Sequence, residues 1–304
     1  MISLGVENHF DRDKNSFFLV RDSFFCLEML KMLTNKCGIK ILIFYLLPLF
    51  SKFGEIEIMK IPFEPVVFDY TINMHLVLEY VAFFVGFRYY IFLKKRWKDS
   101  IQTINRLSII LGATIGAFLG SRIVGFLENP VFPINSIEWL NLFSSKTIMG
   151  GLFGGLSGVE VAKKIIGEKQ SSGDLFVFPI ILGIFIGRIG CFLSGINEFT
   201  YGKVTTFFLG MNLGDGLKRH PIALYELLFL LFLFLFLWRL KDKDLKGGLL
   251  FQYFMICYFT FRFFIEFIKP NIFFIFGFSS IQILCLTCLL YYYKTILNLF
   301  QNAR

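Results

Sequence analysis

Apolar blocks about 20 residues long, separated by short polar stretches, decide what this chain can fold into, because that is the length a helix needs to cross a hydrocarbon core. Of its 304 residues 56% are hydrophobic and only 17% are charged. A soluble domain of this size carries roughly a quarter of its residues as charges to cover its surface. The expected fold class is all-α: a polytopic membrane helix bundle of about seven transmembrane helices. The blocks predict spans over about 72–93, 107–127, 147–166, 175–195, 221–238, 248–267 and 273–295.

Residues 1–58 differ from the rest and are expected to be an N-terminal extension to a membrane domain over 59–304. Their one apolar run, Ile41 to Phe50, is broken by Pro48 and is too short to span, which suits an interfacial or re-entrant segment. No small-residue cleavage site follows it closely, so a standard signal peptide is not expected. Met59 opens a stretch that looks like a natural start, so the extension could equally be a miscalled one.

The formal charge of +9 could indicate nucleic acid or membrane topology. The basic residues sit in short clusters at the ends of apolar blocks, and no polar domain exists to carry a basic face, so nucleic acid is excluded. Placing 94–106 in the cytoplasm puts Lys94, Lys95, Arg96, Lys98, Arg106, Lys163, Lys164, Lys169, Arg239, Lys241, Lys243, Lys246, Lys294 and Arg304 on that side. The other side holds Lys146, Lys203, Lys218, Arg219 and Lys269. That asymmetry predicts an outer N-terminus and an inner C-terminus.

Gly112, Gly116 and Gly120 recur every fourth residue, as do Gly150, Gly154 and Gly158, and Gly183 and Gly187 continue the pattern. Small residues let membrane helices approach backbone to backbone, so these three spans are expected to form the packed centre. The phenylalanine-rich fifth span lacks such a stripe and is expected to face lipid. Cys285 and Cys288 read as apolar-facing residues rather than a redox pair, and no metal site follows from His9, His75 and His220.

Ionisable groups inside spans carry the functional information, since a charge at bilayer depth costs about 2.5–3.5 kcal/mol on insertion scales and is usually paired and turned inward. Arg88 can snorkel, Glu160 can pair with Lys163 and Lys164, and Arg262 and Glu266 are spaced to neutralise each other. Arg188 stands between Gly187 and Gly190 with no acid within a turn, so its counter-charge must come from another helix, for example Glu226, or from a ligand. A guanidinium fork matches phosphate oxygens, which makes a phospholipid headgroup the natural anion here. The loop over 196–225 gathers Asn197, Glu198, Tyr201, Gly202 and Asp215 before His220-Pro221 and Tyr225-Glu226, either as part of a polar site or as interfacial anchors.

At these residues the sequence resembles the prolipoprotein diacylglyceryl transferase family. Gly187-Arg188-Ile189-Gly190-Cys191-Phe192-Leu193-Ser194-Gly195, followed by Tyr201-Gly202, is similar to the family's GRIGNFINGE…YG signature. Glu79-Tyr80, Gly120-Ser121-Arg122, Gly150-Gly151-Leu152 (the HGGL element), His220 to Glu226 (HPSQLYE) and Arg262 to Glu266 (RFxxEF) support it in order and spacing. The resemblance implies transfer of a diacylglyceryl group from phosphatidylglycerol to the lipobox cysteine of a preprolipoprotein signal peptide, in a bacterial inner membrane, by a monomer with no cofactor. It implies catalytic roles at Arg188 and Arg262; where the family histidine is missing, His220 or a carboxylate such as Glu226 would have to substitute as base. It places substrate contacts at Tyr80, Arg122, Gly150, Gly151, Gly187, Gly190, Tyr201, Gly202, Tyr225 and Glu266.

The departures are specific. Met149 stands where the family has the histidine before GGL, and a thioether cannot accept a proton; Cys191 replaces the asparagine after GRIG, and Ile222 and Ala223 replace serine and glutamine. The run Lys146-Thr147-Ile148-Met149-Gly150-Gly151 resembles a divergent branch, which leaves another thiol or alcohol acceptor open. Met149 also separates an enzyme from a non-catalytic lipid-binding or lipid-translocating protein: the enzyme needs another titratable group near Arg188. A secondary transporter is disfavoured, since no pair of corresponding broken helices marks two halves.

Overall fold

Side-chain caps explain where several of the helices begin. The structure is a computed structural model that describes residues 61–67, 70–97, 99, 101–128, 145–243, 245–271 and 276–302; the extension expected over 1–58 lies outside them. Helix α1 (Met74–Arg96) starts where the Asn73 side chain accepts the Leu76 N–H, satisfying a donor the helix cannot use internally. Then come α2 (Thr103–Glu128) and α3 (Ile148–Ile166); Thr147 caps the latter and Gly167 ends it in the left-handed conformation. Helix α4 (Val177–Ser194) follows a short 3₁₀ turn, Asp174–Phe176. Helices α5 (Ile222–Lys241) and α6 (Leu249–Ile265) complete the central set. Gly248 offers no capping side chain to α6, and Asp174 fills that role from across the bundle, accepting the N–H groups of Gly248 and Phe251 at 2.6 and 3.0 Å.

A capping box at Ser279 and Gln282 opens α7 (Ser280–Tyr291), which turns by 66° into α8 (Tyr293–Asn302). Among the described residues two short antiparallel strand pairs stand outside the helices: β1 (Val66–Val67) with β2 (Tyr70–Thr71), and β3 (Met211–Asn212) with β4 (Lys218–Arg219). Five helices among the described residues are long and apolar enough to cross a membrane, or six if the bent α7–α8 pair is one span. Helix α3, with Glu160, Lys163 and Lys164 near its end, occupies the remaining expected span. The last turns of α1, α3 and α5 all carry Lys or Arg, where a cation complements the helix dipole.

The glycine stripes mark a pair of helices rather than the centre of the bundle. A Cβ at Gly112, Gly116 or Gly120 would sit 2.2–2.6 Å from the carbonyl oxygen of Gly158, Gly154 or Gly150, so α2 and α3 touch backbone to backbone. Surfaces built of glycine offer little side chain to a further helix, and Leu111, Ile115, Phe118 and Leu119 of α2 stay exposed. The buried centre is instead α4, α5 and α6, packed on α1. There the fifth span turns Glu226, Leu230, Leu233 and Leu237 inward and keeps Phe232 and Phe236 outside, so only one face of it is free for lipid. Near the basic helix ends Phe178 is fully buried, edge-on to Phe234 and Trp238 at 5.2 and 5.3 Å.

Gly116→Leu is expected to separate α2 from α3, because the added side chain would meet Gly154 backbone that cannot rotate away. Overpacking in a tight interface costs about 1–3 kcal/mol or more, and the measurement is a lowered thermal midpoint in detergent, with Gly187→Ala, which meets open space, as the tolerated control.

Candidate active site

Arg188 lies on the buried face of α4 nearly two turns before its end, 7% exposed, and its counter-charge comes from another helix. The Arg188 Nε is 2.9 Å from Oε1 of Glu226, a fully buried residue of α5, although its N–H is not aimed along a hydrogen bond. Glu226 also accepts from Tyr258 Oη and, through Oε2, from Arg262 Nη1 at 3.1 Å. Arg262 Nη2 reaches Glu266 Oε2 at 3.2 Å, the spacing expected within one helix turn. Lys269 continues the chain, 3.9 Å from Glu266 and 2.6 Å from Glu128 of α2. Cations and carboxylates alternate from Arg188 to Glu128, which is how charge is made tolerable at this depth.

The two guanidinium groups differ in what they hold in reserve. Arg262 spends both terminal nitrogens on carboxylates. Arg188 Nη1 meets the weak acceptor Cys191 Sγ at 3.6 Å, and a Cβ at neighbouring Gly187 would touch nothing within 4 Å. Open space therefore exists at Gly187, the residue before Arg188 in the helix. At Gly190 it does not, because a Cβ there would sit 3.1 Å from His75 Cα and 3.4 Å from its Cδ2.

His75, in the first turn of α1, is the titratable group that reading the sequence missed. Its Nδ1 is 3.2 Å from Glu198 Oε1, and its side chain interacts with the Cys191 thiol, which in turn touches Arg188. The ring is thus oriented by a carboxylate at Nδ1. Cys191 lines a small hollow with Phe192, Thr200, Leu213, Ile222 and Ala223.

The other expected site residues fall into separate groups. His220 Nδ1 is 3.1 Å from Tyr225 Oη, and its carbonyl accepts the Gly202 N–H at 2.9 Å. Arg219 covers the Tyr201 ring at 5.1 Å and hydrogen-bonds Asp215, which holds that carboxyl below the usual carboxylate range. Arg122 donates to the Ser145 carbonyl at 3.2 Å and lies over Phe118, while Gly150 and Gly151 belong to the α2–α3 contact. Tyr80 is 69% exposed on α1, and Lys146, just before α3, pairs with Glu79 of the same helix. Met149 is buried at the start of α3. Among the described residues no group of His, Cys, Asp and Glu could hold a metal ion.

The model of the family described as prolipoprotein diacylglyceryl transferase matches residues 65–297. The chain belongs to the prolipoprotein diacylglyceryl transferase family. Curated proteins named phosphatidylglycerol–prolipoprotein diacylglyceryl transferase are similar to it. The protein from Nitratidesulfovibrio vulgaris strain DP4 is 34% identical over 201 residues, covering 62% of this chain and 72% of its own. That from Chlorobaculum tepidum is 33% identical, over 58% of this chain and 65% of its own. That from Ehrlichia canis is 35% identical, over 60% and 69%. As a member of the prolipoprotein diacylglyceryl transferase family with several membrane-crossing helices, the chain is a multi-pass membrane transferase.

Proposed function

We propose that the protein transfers a diacylglyceryl group from phosphatidylglycerol to the lipobox cysteine thiol of a preprolipoprotein signal peptide, in the cytoplasmic membrane of a bacterium, acting as a monomer with its N-terminus outside and C-terminus inside. The observation that carries this reading is Arg188, a buried guanidinium preceded by a glycine that faces open space, with a histidine–carboxylate pair one residue contact away. Headgroup phosphate approaches Arg188, whose fork stabilises the charge that grows on the leaving glycerol phosphate. Arg262 and Glu266 set the position of Glu226, and through it that of Arg188. Diacylglyceryl transfer needs a thiolate, because the thiol itself is a poor nucleophile. Glu226 is a weak base while two arginines and Tyr258 hold it. His75, oriented by Glu198, takes the thiol proton in place of the histidine that Met149 replaces.

The direct test is purified protein in phosphatidylglycerol vesicles with a lipobox peptide, read by mass spectrometry; an unmodified peptide would sink the reading. The transfer rate should rise with pH as the imidazole loses its proton, and His75→Gln should abolish that limb and slow transfer about 10²–10⁴-fold. His220→Gln should leave the pH profile in place. The opposite pattern would transfer the role of base to His220.

A further inference from the structure

Cys191 has the surroundings of a working nucleophile. Glu198 holds His75 by Nδ1 at 3.2 Å, the ring packs against the α4 backbone at Gly190, and the side chain interacts with the Cys191 thiol. Arg188 Nη1 stands 3.6 Å from the same sulfur. Carboxylate, imidazole and thiol come from the loop after α4, from α1 and from α4, an order that nucleophilic acyl transfer uses on unrelated folds. Cys257, Cys285 and Cys288 have no histidine beside them among the described residues. The hollow at Cys191 is lined mainly by apolar side chains, Phe192, Leu213, Ile222 and Ala223, and has room for little more than one water, so an ester carbonyl rather than the whole acyl chain would enter it.

We propose that Cys191, with His75 and Glu198, takes a fatty acyl chain from a phospholipid ester and holds it as a thioester. The Cys191 proton passes to His75 Nε2, and the thiolate adds to the ester carbonyl. The resulting oxyanion lies beside Arg188. The carbonyl C–O bond then breaks, and the glycerol oxygen leaves with its electron pair and takes the proton back from His75. The products are a lysophospholipid and the acylated enzyme; no oxidant or further reactant is involved. Alkylation of Cys191 at the glyceryl carbon would instead give a thioether with no leaving group, which would block the site permanently, whereas a thioester can pass its acyl group onward. The inference rests on the reading that phospholipid is the lipid drawn to Arg188, but the bond broken is different from that in diacylglyceryl transfer.

That difference supplies the test. Full-length protein is incubated with vesicles of diester phosphatidylglycerol, digested and read by mass spectrometry. The Cys191 peptide should gain one acyl chain, removable by hydroxylamine, with one lysophospholipid released per label. Cys191→Ala should lose the label, and His75→Gln should slow labelling at least about 10²-fold. Vesicles of diether phosphatidylglycerol, which has no ester carbonyl, should give no label while still supporting lipidation of a lipobox peptide. An unlabelled Cys191 in diester vesicles, or a hydroxylamine-stable adduct, overturns the proposal. Loss of peptide lipidation in both vesicles, with the label intact, would count against the transferase reading alone.

Discussion

Arg188→Ala will lower diacylglyceryl transfer by about 10²–10³-fold, the usual effect of removing one preorganised charge-stabilising donor, while the protein still inserts and folds. Folding survives because Glu226 keeps Arg262 Nη1 at 3.1 Å and the Tyr258 hydroxyl after the guanidinium is gone. Activity falls because Arg188 is the guanidinium with donors left over for a phosphate, whereas Arg262 has committed its terminal nitrogens to Glu226 and Glu266. Arg188→Lys should recover little, since an ammonium cannot present two parallel donors. Arg262→Ala should also abolish transfer, by freeing Glu226 and Glu266 together. The assay is peptide lipidation in phosphatidylglycerol vesicles beside a thermal melt; full activity in the Arg188→Ala protein would remove the phosphate-binding role.

Glu226→Ala should do the reverse and strike stability first. It leaves Arg188 with no carboxylate neighbour among the described residues and strips Tyr258 of its acceptor, while Arg262 retains Glu266. Removing one partner of a buried ion pair costs about 3–5 kcal/mol, because the charge left behind has neither water nor a counter-ion. The thermal midpoint in detergent reads this directly. Glu226→Gln keeps the shape and should lose less. The Arg188→Ala/Glu226→Ala double variant should be more stable than Glu226→Ala alone, since it removes the stranded charge; additive losses would show that the two residues are not coupled.

Much of the architecture was legible because apolar length is a strong signal: the predicted spans 147–166 and 221–238 correspond to Ile148–Ile166 and Ile222–Lys241. The glycine stripes are legible as helix contacts but do not locate the centre, since a stripe tells how closely two helices approach and not how many others surround them. Counting phenylalanines hid the inner face of α5, where Glu226 and three leucines recur at helical spacing. Arg188 is legible in the sequence as a charge in need of a partner, and Glu226 is an acid on another span that can supply it. His75 was not found, because nothing local distinguishes a histidine in the first turn of an apolar helix. Topology held the clue: α1 begins and α4 ends on the same side, so the first turn of one faces the last turn of the other.

The contact between α2 and α3 also bears on how this chain can change over generations. Where carbonyl oxygens of one helix rest against glycine Cα atoms of the next, no rotamer can shift to accommodate a newcomer, so Gly116 and Gly154 are closed to every other amino acid. Leu111, Ile115 and Leu119, on the outward side of the same helix, can exchange freely with any oily residue. Variation along α2 should therefore rise and fall with each turn, frozen on one edge and drifting on the other.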